Sequence, residues 1–239
     1  ESRTYTCTGS TEIGGQTITC PSAHGDMDIY GALANSCNCF YAQLAVEMGG
    51  KTMWQYAKKA GLLDSLSVSG ISTAAGSFTA AAEGSADLGW SGVGQYNDLV
   101  NPCAMMTLCG TIANRGTQVP PRLLLKETTA AGLRTGHSRA EKHSGTLSSD
   151  TCALLASMMR RNVTEHYGQS SFGSLAVCAK SGTAEVGEGQ TPHAWFAGFL
   201  RDEDTPYAFV VMVENGGGGA SAAGSVAAKV LTAAAEAGY

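Results

Sequence analysis

The chain has 239 residues, enough to bury a sizeable core as one large domain or as two lobes of one. Hydrophobic residues make up 44% and charged residues 15%, with both signs present, which excludes a disordered chain. The formal charge of −5, with no basic cluster beyond Arg160-Arg161 and Lys58-Lys59, excludes a nucleic-acid surface.

No run of eighteen apolar residues is long enough to span a bilayer. No charged stretch followed by an apolar one opens the chain either. It begins at Glu1 as if inside a folded unit, so a piece whose N-terminal part is absent is the expectation, with any membrane contact made through an anchor in that part. The first predicted element is a hairpin over Thr8 to Thr19, with Gly14-Gly15 supplying positive φ at its turn. Met27 to Gly49 carries helical spacing through Leu33, Cys37, Phe40, Tyr41, Leu44 and Met48, interrupted at Asn35-Ser36, which predicts two helices meeting at a turn. Thr52 to Leu63 reads as a short helix with Thr52 as its N-cap. Residues 65 to 97 are Ser/Gly/Ala-rich and read as long surface loops. Leu99 to Ala113 is a buried helix with Pro102 in its first turn and Asn114-Arg115-Gly116 closing it.

Residues 117 to 147 read as extended or looped, and Ser149 or Asp150 then caps a helix running to about Val163. Three strand-length runs follow, Ala176 to Glu185, His193 to Leu200 and Tyr207 to Glu214, separated by Gly/Pro/Asp-rich turns. Phe209 to Val213 is apolar on both faces, so that strand should be covered on both sides. A terminal helix from about Ala220 to Ala237 offers Ala223, Val226, Ala227, Val230, Leu231 and Ala234 as its buried stripe. The pattern predicts an α/β (α+β) sandwich, an antiparallel sheet covered by helices on both faces beside an all-helical lobe. The expected division is one domain over 1–239, mainly helical over 21–170, with the sheet and last helix over 171–239.

Eight cysteines are too many for a cytosolic domain of this size without a metal or redox reason. A zinc site fails on spacing: there is no Cys-x-x-Cys, and Cys37-x-Cys39 has no second pair at ligand distance. Disulfides are the better reading, with Cys7 and Cys20 the best pair because they flank the predicted hairpin, and an oxidising, exported location follows. His24, His137, His143 and His166 show no ligand spacing, and His193, ahead of a strand, reads as structural.

Two triplets carry chemistry: Ser36-Cys37-Asn38 at a helix junction and Lys180-Ser181-Gly182-Thr183 on a predicted strand. Each alone is weak, since Ser36 is equally placed to cap a helix and Lys180 to be a solvated edge residue. Together, in this order, they resemble two of the three signatures of the serine penicillin-recognising enzymes. The likeness extends to Ala32 through Leu44, to Gly92-Val93-Gly94-Gln95 with Leu99 to Gly116, to Lys180 through Phe199, and to Glu214-Asn215 with the glycine run after it. The chain therefore resembles the C-terminal part of a class B penicillin-binding transpeptidase domain, with the penicillin-binding transpeptidase and β-lactamase-like fold that this implies.

The resemblance implies a serine acyl-transfer enzyme acting on the D-Ala-D-Ala of peptidoglycan stem peptides, inhibited by β-lactams, at the outer face of the cytoplasmic membrane. It implies no cofactor and no metal; a lipid-II polymerase is a candidate partner. Ser36 would relay a proton to the leaving nitrogen, Asn38 would bond the substrate's peptide group, and Lys180 would hold Ser36 and attract the terminal carboxylate. Ser181 and Thr183 would bind that carboxylate, the Thr183 N–H would serve as an oxyanion donor, and Gly182 would let substrate lie along the strand. The first signature is not in the chain, since none of its seven lysines has a Ser three positions earlier. The nucleophile is expected before Glu1, and residues 1–239 alone are expected not to acylate. A D,D-carboxypeptidase, which passes the acyl group to water, and a binding module or β-lactam sensor without the nucleophile remain open. A β-lactamase is disfavoured because no Glu or Lys is placed for deacylation.

Overall fold

The computed structural model describes residues 2–238 apart from Tyr96, Ser138 and Ala140. Its first strands are β1 (Tyr5–Cys7), β2 (Ser10–Ile13), β3 (Gln16–Thr19) and β4 (Gly25–Met27). β2 and β3 form the expected hairpin around Gly14 and Gly15, at φ 56° and 77°, the left-handed pair that a two-residue turn needs. The register sets Ser10 opposite Thr19, so the next pair out is Gly9 with Cys20, whose N–H reaches the Gly9 carbonyl at 2.9 Å. Cys7 instead lies on β1, opposite Gly25 of β4.

Helices α1 (Ile29–Asn35) and α2 (Asn38–Met48) meet where the broken pattern placed a turn. Asp28 caps α1 by accepting from the Gly31 N–H at 2.9 Å, and Ser36 closes it in the left-handed region at φ 50°. Helix α3 (Gly50–Lys59) starts ahead of the expected Thr52. Gly49 at φ 81° turns the chain directly out of α2, and a side chain on Gly50 would overlap the Ala81 carbonyl, so these two glycines set the start.

The stretch expected to be loops holds a small hairpin, β5 (Ser67–Val68) with β6 (Ile71–Ser72), and a helix, α4 (Ala86–Val93). Ser85 caps α4 by accepting from the Leu88 N–H at 3.2 Å. Helix α5 (Pro102–Ala113) is capped by Asn101, which accepts from the Ala104 N–H at 2.8 Å with Pro102 behind it. Leu99, expected inside that helix, is exposed and exchanges backbone hydrogen bonds with Ser77. The hairpin β7 (Lys126–Thr128) with β8 (Arg134–His137) precedes α6 (Ser149–Asn162), whose cap is Ser148 rather than Ser149 or Asp150. A π-helical turn, Val163–Tyr167, and a 3-10 turn, Gln169–Phe172, continue the chain toward the sheet.

The main sheet contains β9 (Val177–Ala184), β10 (His193–Leu200) and β11 (Ala208–Val213), antiparallel in the order β11-β10-β9. Alternation divides its side chains. Val177, Ala179, Ala194 and Phe196 pack on α7 (Ala223–Glu236) and on Phe172, whereas Cys178 and Phe199 meet Cys109, Ile112, Cys152 and Met159 of α5 and α6. Burying a side chain such as Phe196 stabilises the fold by about 1.5–3 kcal/mol. This is the expected sandwich of an antiparallel sheet between helices. The helix-rich remainder also carries the four two-stranded pieces named above. The buried stripe of α7 differs from the expected one: Val226 and Val230 are 42% and 57% exposed, while Ala223, Gly224, Ala227, Ala228 and Leu231 are buried. Small residues win because α7 lies against the Phe196 ring, where a side chain on Gly224 would sit 3.4 Å from Cδ2.

Candidate active site

Ser36 occupies the single left-handed residue between α1 and α2, held there by its own N–H on the Leu33 carbonyl at 3.3 Å and by the Cys37 N–H on the Ala32 carbonyl at 2.9 Å. Opposite it stands Lys180, midway along β9. The Lys180 ammonium donates to Ser36 Oγ and, at 2.8 Å, to the Ser181 carbonyl. It is half-buried, and burial pushes it down to about 8. Asn38 opens α2, and its Nδ2 donates to the Thr19 carbonyl at 2.8 Å, tying the helix start to the end of β3.

The pattern of β9 explains how Ser181, Gly182 and Thr183 reach the same place. Among the described residues β9 is an edge strand, paired only with β10, so alternate backbone groups face outward. Their carbonyls are met by side-chain donors: Arg160 on Val177 at 2.9 Å, Asn162 on Ala179 at 3.2 Å, Lys180 on Ser181, and Gln95 on Thr183 at 3.0 Å. The Thr183 N–H lies on that same outward edge, because N–H and C=O of one residue in an antiparallel strand point the same way. Tyr167 takes the Ser181 N–H on its hydroxyl oxygen at 3.0 Å and lies 3.0 Å from Ser181 Oγ. The Thr183 hydroxyl accepts from the Gly219 N–H at 3.2 Å. Gly182 pairs with Trp195, and a side chain on Gly219 would overlap the Gly182 carbonyl, so the glycine run packs directly behind the triplet.

Ser36, Asn38, Lys180, Ser181, Gly182 and Thr183 thus line one cleft of about 680 Å³, closed on another side by Trp90, Val93 and Gln95. All six residues singled out in the sequence are brought together. Tyr167 was missed, since a lone Tyr in a polar stretch carries no signal; Gln95 and Gly219 stood inside the quoted motifs but without a role. His193 is structural: its Nδ1 accepts from the Asn215 N–H at 3.0 Å, where β10 begins.

The cysteines behave otherwise than expected. The Cys7–Cys20 bridge is not formed, and all eight cysteines are free thiols. The two cysteines are also not partners across the hairpin, since Gly9 and not Cys7 stands across from Cys20. Sequence spacing did not point to a cluster that the fold brings together. Among the described residues, one ligand atom from each of Cys7, Cys20, His24 and Cys37 lies within 4.8 Å of the others. Burial pushes the Cys7 thiol up, yet backbone hydrogen bonds from His24 and Gly9 and thiol bonds from Cys37 and Cys39 outweigh it and hold Cys7 at about 6, while burial pushes Cys37 up to about 12.

The family model for the penicillin binding protein transpeptidase domain matches residues 1–235. The chain belongs to this transpeptidase family. The peptidoglycan D,D-transpeptidase PbpA of Mycolicibacterium smegmatis is 30% identical over 192 residues, covering 77% of this chain and 38% of that relative. The chain therefore spans well under half the length of this relative. Solved transpeptidase structures share the fold. The ceftriaxone acyl-enzyme complex of penicillin-binding protein A from M. tuberculosis matches at a TM-score of 0.90 and 22% identity over 97% of this chain and 55% of that one. The D,D-transpeptidase domain of a peptidoglycan glycosyltransferase from Eggerthella lenta matches at 0.86 and 23% identity over 98% and 60%. The PBP2–MreC complex from Helicobacter pylori matches at 0.80 and 20% identity over 100% and 46%.

Proposed function

We propose that this chain supplies the proton-relay, carboxylate-binding and oxyanion side of the cleft of a serine peptidoglycan D,D-transpeptidase. A serine from an upstream Ser-x-x-Lys attacks the penultimate D-Ala carbonyl of a stem peptide, terminal D-Ala leaves, and an amine of a neighbouring stem peptide takes the acyl group. Ser36, hydrogen-bonded to Lys180, passes a proton to the leaving nitrogen. The ammonium of Lys180 with the Ser181 and Thr183 hydroxyls receives the terminal carboxylate. The outward Thr183 N–H is one oxyanion donor, and the open edge of β9 accepts the peptide as an added strand past Gly182. Asn38 holds the start of α2 to β3 and offers its remaining amide atoms to the peptide group.

β-Lactams follow the first half of the same path. The family supports action on the cell wall, outside the cytoplasm, at the membrane's outer face. A protein partner, such as a lipid-II polymerase, is in keeping with the MreC-bound state of one structural relative. We place the helix-rich lobe at 21–170 and the sheet lobe at 171–239 of a single domain.

The observation that carries this reading is the Lys180–Ser36 hydrogen bond joining two residues 144 positions apart at the open edge of β9. The test is fluorescent-penicillin labelling. The intact protein should label stoichiometrically, Ser36→Ala should slow labelling about 10²-fold, the equivalent of some 2.7 kcal/mol, and residues 1–239 alone should take no label. An unlabelled intact protein would replace the enzyme with a binding module. D-Ala release that ignores an added amine acceptor would replace the transpeptidase with a carboxypeptidase.

A further inference from the structure

We propose that Cys7, Cys20, His24 and Cys37 form a tetrahedral Cys3His zinc site that fastens the Ser36–Asn38 turn to the N-terminal strands. The four residues come from four separate segments: the end of β1, the residue after β3, the approach to β4, and the junction of α1 and α2. Their ligand atoms nevertheless converge within 4.8 Å.

Two of the six spacings match the edges of a tetrahedral metal site, and the rest lie within 4.8 Å. Zn–S bonds of about 2.3 Å and Zn–N bonds of about 2.0–2.1 Å fix tetrahedral S···S and S···N edges at about 3.8 and 3.6 Å. Cys20 Sγ and Cys37 Sγ lie 3.8 Å apart, and Cys7 Sγ lies 3.5 Å from His24 Nδ1. A disulfide needs its sulfurs at about 2.05 Å.

The surroundings are those of an outer shell. His24 turns Nδ1 inward and places Nε2 3.1 Å from Ser22 Oγ, the kind of second hydrogen bond that fixes a ligating imidazole's tautomer. The Cys39 N–H points at Cys20 Sγ at 3.3 Å, and Cys37 is the N-terminal residue capping α2, where the helix favours an anion. Three sulfurs and one imidazole with no carboxylate form a soft set that selects zinc over magnesium or calcium. On binding, Zn2+ displaces the thiol protons to solvent, and no oxidant is involved.

The location gives the site a consequence. Cys37 is the middle residue of Ser36-Cys37-Asn38, so a metal on its sulfur holds the backbone on which Ser36 keeps its left-handed φ of 50°. This consequence rests on the catalytic reading above; the metal site does not.

The test is the intact protein purified without chelator, with metal content by plasma mass spectrometry and zinc-edge X-ray absorption. One zinc per chain with about three sulfur scatterers at ~2.3 Å and one nitrogen is the expected result. His24→Ala and Cys20→Ser should each lose the zinc, and Cys103→Ser should keep it; if Cys20→Ser fails to fold, the wild-type spectrum and His24→Ala decide. Metal-free protein with free thiols, a mass lowered by a disulfide among Cys7, Cys20 and Cys37, or zinc retained in His24→Ala and Cys20→Ser would each overturn the site. Removing the zinc should slow fluorescent-penicillin labelling at least tenfold, with recovery on re-addition. A zinc-bearing protein whose labelling ignores removal would overturn the positioning role while leaving both the site and the catalytic reading intact.

Discussion

Lys180→Met should separate stability from chemistry in opposite directions. Burial lowers the Lys180 ammonium from 10.5 to about 8, and each unit is about 1.4 kcal/mol, so the charged form is disfavoured in the folded protein by about 3 kcal/mol. A methionine of similar length removes that cost. It also takes the donor from Ser36 Oγ and the Ser181 carbonyl, a loss of about 1–2 kcal/mol where the cleft lets water substitute. The net expectation at pH 7 is a variant about 1–2 kcal/mol more stable. The sign with pH follows from linkage. Below pH 8 both folded and unfolded wild-type carry the proton and the full cost is present; between about 8 and 10.5 the folded state sheds it first, so the wild-type gains stability as pH rises. The variant's advantage should therefore shrink by about 2–3 kcal/mol between pH 7 and 10, and buried thiols such as Cys109 ionise alike in both and cancel. Urea unfolding of both proteins at pH 7, 8.5 and 10 measures the difference directly. Labelling by fluorescent penicillin should fall by 10² or more, since a charge-assisted bond of about 1.5–3 kcal/mol and the carboxylate's counter-charge vanish together. A variant that is less stable at pH 7 by a pH-independent amount would refute the desolvation argument, and labelling within threefold of wild-type would remove Lys180 from the chemistry.

Both carboxylate oxygens of Asp98 are buried with no well-formed hydrogen bond among the described residues, and burial, offset only in part by nearby Ser91, raises it from 3.8 to about 7. Its folded pKa lies above the unfolded one, so stability is lost as pH climbs from 4 through 7, and Asp98→Asn should gain on wild-type over that window by about 1–3 kcal/mol in denaturant titrations. Tyr167→Phe removes the hydroxyl shared by the Ser181 N–H and side chain, and should slow labelling about 3–10-fold, the equivalent of one hydrogen bond, while thermal melting moves by only a few degrees. Unchanged labelling there would show that Ser181 needs no support from the π-helical turn.

The sheet was legible because its strands are apolar runs such as Phe209 to Val213 bounded by turn residues, and the hairpin because Gly14-Gly15 leaves few other conformations. Helix α4 was not, and the reason is its closeness to its neighbours. Side chains on Gly89 and Gly92 would collide with Ile18 Cδ1 and with the Tyr41 carbonyl, so α4 packs on the hairpin and α2 by being small, which hydrophobic periodicity does not register. The same physics misplaced the stripe of α7, where Ala223, Gly224 and Ala227 are buried against Phe196 and the larger Val226 and Val230 face outward. For the site, spacing could pair neither Ser36 with Lys180 nor the ligands of the cysteine cluster. The first came from motif resemblance, and the second only from the fold, because β1, β4 and the α1–α2 junction meet in space and not in sequence.

Ser36 is where the strands, the helix junction and the sheet edge meet. A non-glycine residue in the left-handed region costs about 1–2 kcal/mol, so the turn persists only if its neighbours over-determine it. Four constraints do so: the Cys37 N–H bond that closes α1, the Asn38 amide on the Thr19 carbonyl, the Lys180 ammonium on Ser36 Oγ, and the sulfur cluster behind Cys37. Only one of the four reaches Ser36 through its side chain. The other three hold the backbone of the turn while Lys180 holds Oγ, so the hydroxyl is aimed before any substrate arrives. A proton relay gains from that arrangement, because a hydroxyl already aimed needs no reorganisation when charge develops in the transition state.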